Sequence, residues 1–306
     1  WNADENGSID TKGTPEGIKI KDAMRSMGAK ATTTISYKGN MNSSVPTITS
    51  IRNQTGNLVA SPAKVDGVTN TSLTLTLSDG TTQTVTAKSN YEYRTKCSMP
   101  ITTIANVYDS LGNLHKVPFL FTKVPGTGTP PLKYDEWEVS LSPATTSGGA
   151  LDPLGQCSIK EDDGSWTTVK MTTKRLKFDQ SGKYTSGAGD PELTLENGAG
   201  STSPTPPSPV PTMTAMVDLK SLTQYSGSDT IKADYDGHSA GTLKEINTDQ
   251  SGILTGTYTN GEKRALAQVA VAQFDNAPGL TKAGANLYTE SNNSGTANIK
   301  TVSALG

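Results

Sequence analysis

Residues 241–274 constrain the fold most. Three strand-like runs are strung between two tight-turn signals, Asp249-Gln-Ser-Gly252 and Asn260-Gly261, with no helical period among them. Reversals this short need residues that tolerate positive φ, which Gly, Asn and Asp supply. The flanking runs alternate or are continuously apolar, as half-buried or buried strands do. The stretch carries no catalytic constellation and reads as scaffold.

The same grammar recurs upstream. Leu73, Leu75 and Leu77 alternate with polar residues before Asp79-Gly80, and residues 83–87 return with Val85 apolar, a hairpin signal. A second hairpin is expected from residues 101–108 through Asp109-Ser-Leu-Gly-Asn113 into 117–121, and a third from 174–178 through Asp179-Gln-Ser-Gly182. Residues 32–37, 137–141 and 213–219 add β-branched or alternating strands, and Ile18-Lys-Ile20 a short alternating piece. Residues 22–28 allow one loose helical turn. Residues 198–212 hold too many prolines for a ladder and are too polar for a core, so they read as an exposed Pro-rich loop. Within it, Pro204-Thr-Pro-Pro207 has the PxxP form but no basic neighbour to orient a groove interaction, and reads as spacer.

Only 33% of the 306 residues are hydrophobic and 6% aromatic, which favours thin β cores, and the length suits two domains at roughly 150 residues each. The fold class expected is all-β, with antiparallel sandwich or barrel-like domains. A net charge of −2 gives no broad attraction to phosphate, so nucleic acid is a poor partner. No run approaches the roughly 18 apolar residues of a membrane span. The chain opens on Trp1 and reads as a mature form or excised fragment, on which a targeting segment cannot be judged. Cys97 and Cys157 stand far apart, which fits neither a metal knuckle nor a disulfide framework, and two thiols are the simpler expectation.

Gly237-His-Ser-Ala-Gly241 fits the G-x-S-x-G pattern that would make Ser239 a nucleophile. That elbow needs a buried strand before the serine and a helix after it. Lys232-Ala-Asp-Tyr-Asp236 is polar, the following run has no helical period, and neither His115 nor His238 follows Ser239 in the chain. Asp4-Glu-Asn-Gly7, Glu161-Asp-Asp-Gly164 and Asp249-Gln-Ser-Gly252 share residue types with calcium loops but lack the spaced oxygens and closing Glu, so turn geometry explains them. Tyr91 and Tyr93 share one face if that segment is a strand, where they either cover a sheet or stack on a sugar or base. No catalytic, cofactor-binding or metal-binding residue is assigned.

Several segments together resemble the bacterial flagellar hook protein family. They are Ala29-Lys-Ala-Thr-Thr-Thr34, Asn106-Val-Tyr-Asp-Ser-Leu-Gly-Asn113 with His115, Leu222-Thr-Gln-Tyr225, Asp236-Gly237 with Ala240-Gly241, Tyr258-Thr-Asn-Gly261, Gln268-Val-Ala-Val-Ala-Gln-Phe274 and Gly279-Leu-Thr-Lys-Ala-Gly-Ala-Asn-Leu-Tyr288. The resemblance is weak over 45–96 and 143–211. It implies a discontinuous inner β domain, 1–29 with 236–306, and an outer β domain, 30–235, inserted into it. The family's terminal helices would precede Trp1 and follow Gly306. It further implies a non-enzymatic subunit exported by the flagellar type III system, self-assembling outside the cell into a torque-transmitting helical tube. Its partners would be rod, hook cap and hook–filament junction proteins, with no cofactor. Some spirochaete members cross-link through a cysteine and a lysine, but the resemblance does not place Cys97 or Cys157 in that role. A distal rod subunit, or a secreted carbohydrate-binding or adhesin module, is the alternative.

Overall fold

The computed structural model describes residues 1–126, 136–143, 155–162, 164, 166–186, 192–197 and 212–304. The Pro-rich stretch 198–211 lies outside the described residues. In chain order the first strands are β1 (Ser26–Met27), β2 (Thr34–Asn42), β3 (Ile48–Asn53), β4 (Leu73–Leu77), β5 (Thr82–Val85), β6 (Ile101–Tyr108) and β7 (Leu114–Val124). Next come β8 (Glu136–Leu141), β9 (Gln156–Lys160), β10 (Trp166–Met171), β11 (Lys174–Phe178), β12 (Tyr184–Ser186), β13 (Glu192–Asn197), β14 (Met213–Tyr225) and β15 (Lys232–Tyr235). The last are β16 (Gly241–Thr248), β17 (Ile253–Tyr258), β18 (Lys263–Gln268), β19 (Ala270–Gln273), β20 (Thr281–Gly284), β21 (Leu287–Thr289) and β22 (Asn298–Thr301). The only helical pieces among the described residues are three-residue 3-10 turns. The chain divides into two compact units, residues 1–29 with 239–306, and residues 30–238.

The 30–238 unit is built on two sheets. One runs β15-β2-β14-β13-β10-β9 and the other β12-β11-β8-β7-β6. Their inward residues form one core, with Tyr37 of β2 packing edge-on against Phe119 and Phe121 of β7 at 5.3 and 5.1 Å. Strict alternation explains the layering. In β14 Ala215, Val217 and Leu219 are buried while Thr214 and Met216 face out, as the two-residue period requires. Tyr37 is fully buried, and its hydroxyl lies 3.1 Å from Thr103 Oγ1 on β6, joining the two sheets through a polar contact. A smaller sheet, β3-β4-β5, has its own core of Ile48, Ile51, Leu73, Leu75 and Leu77.

Pairing is antiparallel with one exception among the described strands. β2 and β14 run parallel over Thr34–Asn42, with a register break between Asp218 and Ser221 where the Lys220 amide turns onto the Asp218 carboxylate. Parallel neighbours need a crossover, and the segment from β3 to β13 supplies it.

The unit of residues 1–29 and 239–306 contains the sheet β1-β16-β17-β18 and the pairs β19-β22 and β20-β21. Its core is small: Ala3, Met24 and Leu266, with Ile9, Ile20 and Leu243 against them. Hydrogen bonds tie its two chain segments together. The Trp1 ammonium donates to Gln268 O at 2.8 Å, the Tyr258 hydroxyl to Met24 O at 2.7 Å, and Arg264 to Glu5 O at 2.8 Å. Residues 18–20, read from sequence as a strand-like piece, lie in no strand; Ile20 packs on the small core and Ile18 is exposed.

One turn design recurs in both units. Starting at Asp4, Asn53, Leu77, Asp109, Asp179, Asp249 and Tyr258, the first amide donates to the fifth carbonyl, and the amide of the glycine in fourth place donates to the first carbonyl. Those glycines have φ between 70° and 89°, where a side chain would be strained. Where the first residue is Asp or Asn, its Oδ1 also accepts the amides two and four residues on, at 2.8–3.1 Å. The hairpin signals thus mark a single physical device, a type I turn closed by a left-handed glycine and fastened by an Asx oxygen.

Candidate functional site

Three of the segments singled out in the sequence meet where the chain enters and leaves the 30–238 unit. The Asp236 carboxylate accepts the amides of Thr33 and Thr34 at 2.8 and 3.0 Å, the Thr33 hydroxyl at 2.6 Å, and Lys30 Nζ at 3.2 Å. Partial burial alone would raise its pKa. The bonds from Thr33, Thr34 and Lys30 outweigh that and hold the carboxyl far below the usual range. Thr32, fully buried, exchanges bonds with Tyr108: its amide donates to Tyr108 O at 2.9 Å and its Oγ1 accepts the Tyr108 amide at 2.8 Å. Gly237 leaves room for this, since a Cβ there would overlap the Thr32 hydroxyl and amide. Lys30 and His238 pair backbone to backbone in both directions at 2.9 Å, closing the clasp.

The same β6–β7 turn supplies a second polar cluster. His115, 2% exposed, places Nδ1 2.8 Å from Glu161 Oε1 and Nε2 3.5 Å from Asp109 Oδ2. Burial opposes the imidazolium, but Glu161 and Asp109 outweigh it and raise the His115 pKa. Asp109 is pulled below its ordinary range despite burial, chiefly by the side chain and amide of Asn113 and the amide of Leu111.

The remaining sequence candidates resolve as structural groups. Ser239 sits in a loop between the His238 bridge and β16, a strand where an elbow requires a helix, and its carbonyl accepts Asn260 Nδ2 at 2.8 Å. The Asp4 and Asp249 turns turn an oxygen onto backbone amides, and Glu161 faces His115. Among the described residues no group of three or more His, Cys, Asp or Glu is arranged to hold a metal ion. Tyr91 and Tyr93 lie outside any strand and pack edge to face at 5.0 Å, with the Tyr91 hydroxyl 2.9 Å from Thr122 Oγ1. Tyr93 packs against the core of the β3-β4-β5 sheet, and burial pushes the Tyr91 phenol up to about 12. Cys97 and Cys157 are both buried thiols, and burial raises the Cys97 pKa. No helix among the described residues is long and apolar enough to cross a membrane.

Sequence reasoning did not find the roles of Asp236, Lys30 or Glu161. The available signal was that Asp-Gly and Thr-Thr-Thr stood at opposite ends of one inserted segment, where their pairing closes it.

Strands, recurrent Asx turns and a sandwich unit inserted in sequence into a second β unit define an all-β protein of two units. Residues 79–238 match the family model described as the flagellar basal body protein FlaE D2 domain. The flagellar hook protein FlgE of Treponema pallidum is 31% identical over 67% of this chain and 45% of its own length. FlgE of Escherichia coli is 24% identical over 96% of this chain and 55% of its length. The crystal structure of Helicobacter pylori flagellar hook protein FlgE2 is similar over 86% of this chain and 71% of its own, at 14% identity and a TM-score of 0.47. The chain belongs to the flagellar hook protein family. It spans about half the length of these two FlgE relatives.

Proposed function

We propose that this chain is the β-structured part of a flagellar hook subunit. In the full-length protein it polymerises helically, outside the cell, into a flexible tube that carries torque from rod to filament. The observation that carries the reading is the family match over residues 79–238, with motif segments on both sides of it in one order. The 30–238 unit is then the outer domain and the 1–29 with 239–306 unit the inner one. The subunit works mechanically and not as an enzyme: rigid β units keep their shape while neighbouring subunits slide over small distances as the tube rotates. Its partners are other copies of itself and the rod, cap and junction proteins, and its route out is the flagellar export system.

Immunogold electron microscopy with antibodies raised against this chain tests the reading on flagella of the source organism. Labelling is expected on the curved segment between envelope and filament. Gold confined to the rod would indicate a rod subunit, and gold over the general cell surface an adhesin.

A further inference from the structure

We infer that His115 is a proton-operated brace between the two sheets of the 30–238 unit, closed when the imidazole carries its second proton and released when it loses it. His115 lies at the start of β7 in the five-stranded sheet. Glu161 follows β9, the edge of the six-stranded sheet, so the 2.8 Å contact between them spans the sandwich. On the other side Nε2 faces Asp109 Oδ2 at 3.5 Å, is buried, and has no hydrogen-bond partner among the described residues. A neutral imidazole has one N–H and one lone pair, so either tautomer turns a lone pair toward a carboxylate. Only the imidazolium presents an N–H to both.

Among the described residues the charged groups facing the ring are Glu161 from the end of β9 and Asp109 from the β6–β7 turn. Its partner across β6 is the uncharged Val107, and the neighbouring Lys116, Lys160 and Asp162 are exposed. Because folding raises the His115 pKa, the brace is fully engaged below the unfolded imidazole value of about 6.5 and lost as pH rises through the folded value. On the acid side Asp109, held low, keeps its charge until pH falls below the ordinary carboxylate range. The 30–238 unit is therefore tightest in mild acid and loosens as pH rises through the folded His115 value, which lies above the unfolded one.

The test is a proton NMR titration of the imidazole Cε1–H signals of the whole chain, with the His115 resonance identified by its loss in His115→Asn. Amide hydrogen exchange of residues 156–160 is measured in parallel from pH 6 to 9 and corrected for intrinsic rates. His115 is expected to titrate above about 6.5, and each pKa unit of excess corresponds to about tenfold of protection lost across the transition. Glu161→Gln is expected to lower the titration midpoint and flatten the pH dependence of exchange. A midpoint at or below the ordinary value in the unmutated chain overturns the brace, whatever the variants do. So does the same pH dependence of exchange in the unmutated chain and folded Glu161→Gln.

Discussion

Removing the Asp236 carboxylate tests whether the clasp holds the 30–238 unit together. Three hydrogen bonds and an ion pair with Lys30 converge on it, and hydrogen bonds to a charged group contribute about 1.5–3 kcal/mol each. The Asp236 side chain keeps 33% exposure and Thr33 is exposed, so water replaces much of what Asp236→Ala removes. The better analogue is a side-chain oxygen capping backbone amides at an element end, whose loss costs about 0.5–2 kcal/mol. The half-exposed Lys30 pair adds at most about 1 kcal/mol. Asp236→Ala should therefore cost about 2 kcal/mol, or about 4–8 °C in the melting of a unit this size. Asp236→Asn, which keeps a neutral acceptor, should fall about midway. The assay is thermal unfolding followed by fluorescence of Trp137, fully buried in the same unit. Asp234→Ala is the control: Asp234 pairs with Lys38 at 59% exposure on both sides and should move stability by less than about 0.5 kcal/mol. Folding depresses the Asp236 pKa, so its contribution is present above the unfolded carboxylate value of about 3.9 and lost as pH falls toward the folded value. The deficit of Asp236→Ala should shrink below that pH. A deficit no larger than that of Asp234→Ala, or one undiminished at strongly acid pH, refutes the clasp.

Phe119→Ala, at the centre of the sandwich against Tyr37, should cost about 3–5 kcal/mol in urea unfolding, whereas Leu287→Ala, 66% exposed on the β20–β21 hairpin, should stay within about 0.5 kcal/mol. A chromogenic disulfide reagent should react slowly with Cys97 and Cys157 in the native chain and rapidly with both in guanidinium, since they are 4% and 1% exposed; fast labelling of the native chain contradicts their burial. A chelator should leave the melting temperature unchanged, because the turn oxygens are engaged by amides; a drop of several degrees would reveal a bound cation.

The hairpins were legible because their requirements are local. A left-handed glycine three places after an Asp or Asn fixes the reversal at 109–113, 179–183 and 249–253 whatever surrounds it, and Asp79-Gly80 and Asn260-Gly261 use the same frame with the polar residue two places later. The all-β class followed from these turns and the alternation between them. The β2–β14 pairing was not legible. A strand's sequence reports which of its faces is buried but not which neighbour it joins, and here the neighbour starts at Met213 while β2 ends at Asn42. Asp236 could be read as a turn residue only, since the amides it holds lie 203 and 202 positions away. Tyr91 and Tyr93 were placed on a strand face by alternation alone, but tertiary packing folds that segment into an edge-to-face stack.

The two units reach order by different means, which bears on how a hook subunit could deform without unfolding. Residues 30–238 close a continuous apolar core from two sheets, so distortion there would open close-packed aromatic contacts such as Tyr37 with Phe119 and Phe121. Residues 1–29 and 239–306 have few such contacts to lose. Met24 and Leu266 are buried, but much of the joining falls to hydrogen bonds from Trp1, Tyr258 and Arg264, while β20 and β21 are exposed along their whole length. The bonds from Trp1 and Tyr258 are buried, but those of the exposed β20–β21 hairpin and of Arg264 to Glu5 can exchange with water at small net cost, whereas an apolar core yields only by losing burial. Under the proposed function sliding between subunits takes up most of the motion, and the residual elastic change within one subunit falls first on the discontinuous unit. The sandwich resists it most, and the Asp236 clasp keeps the two strands that enter and leave it from peeling apart.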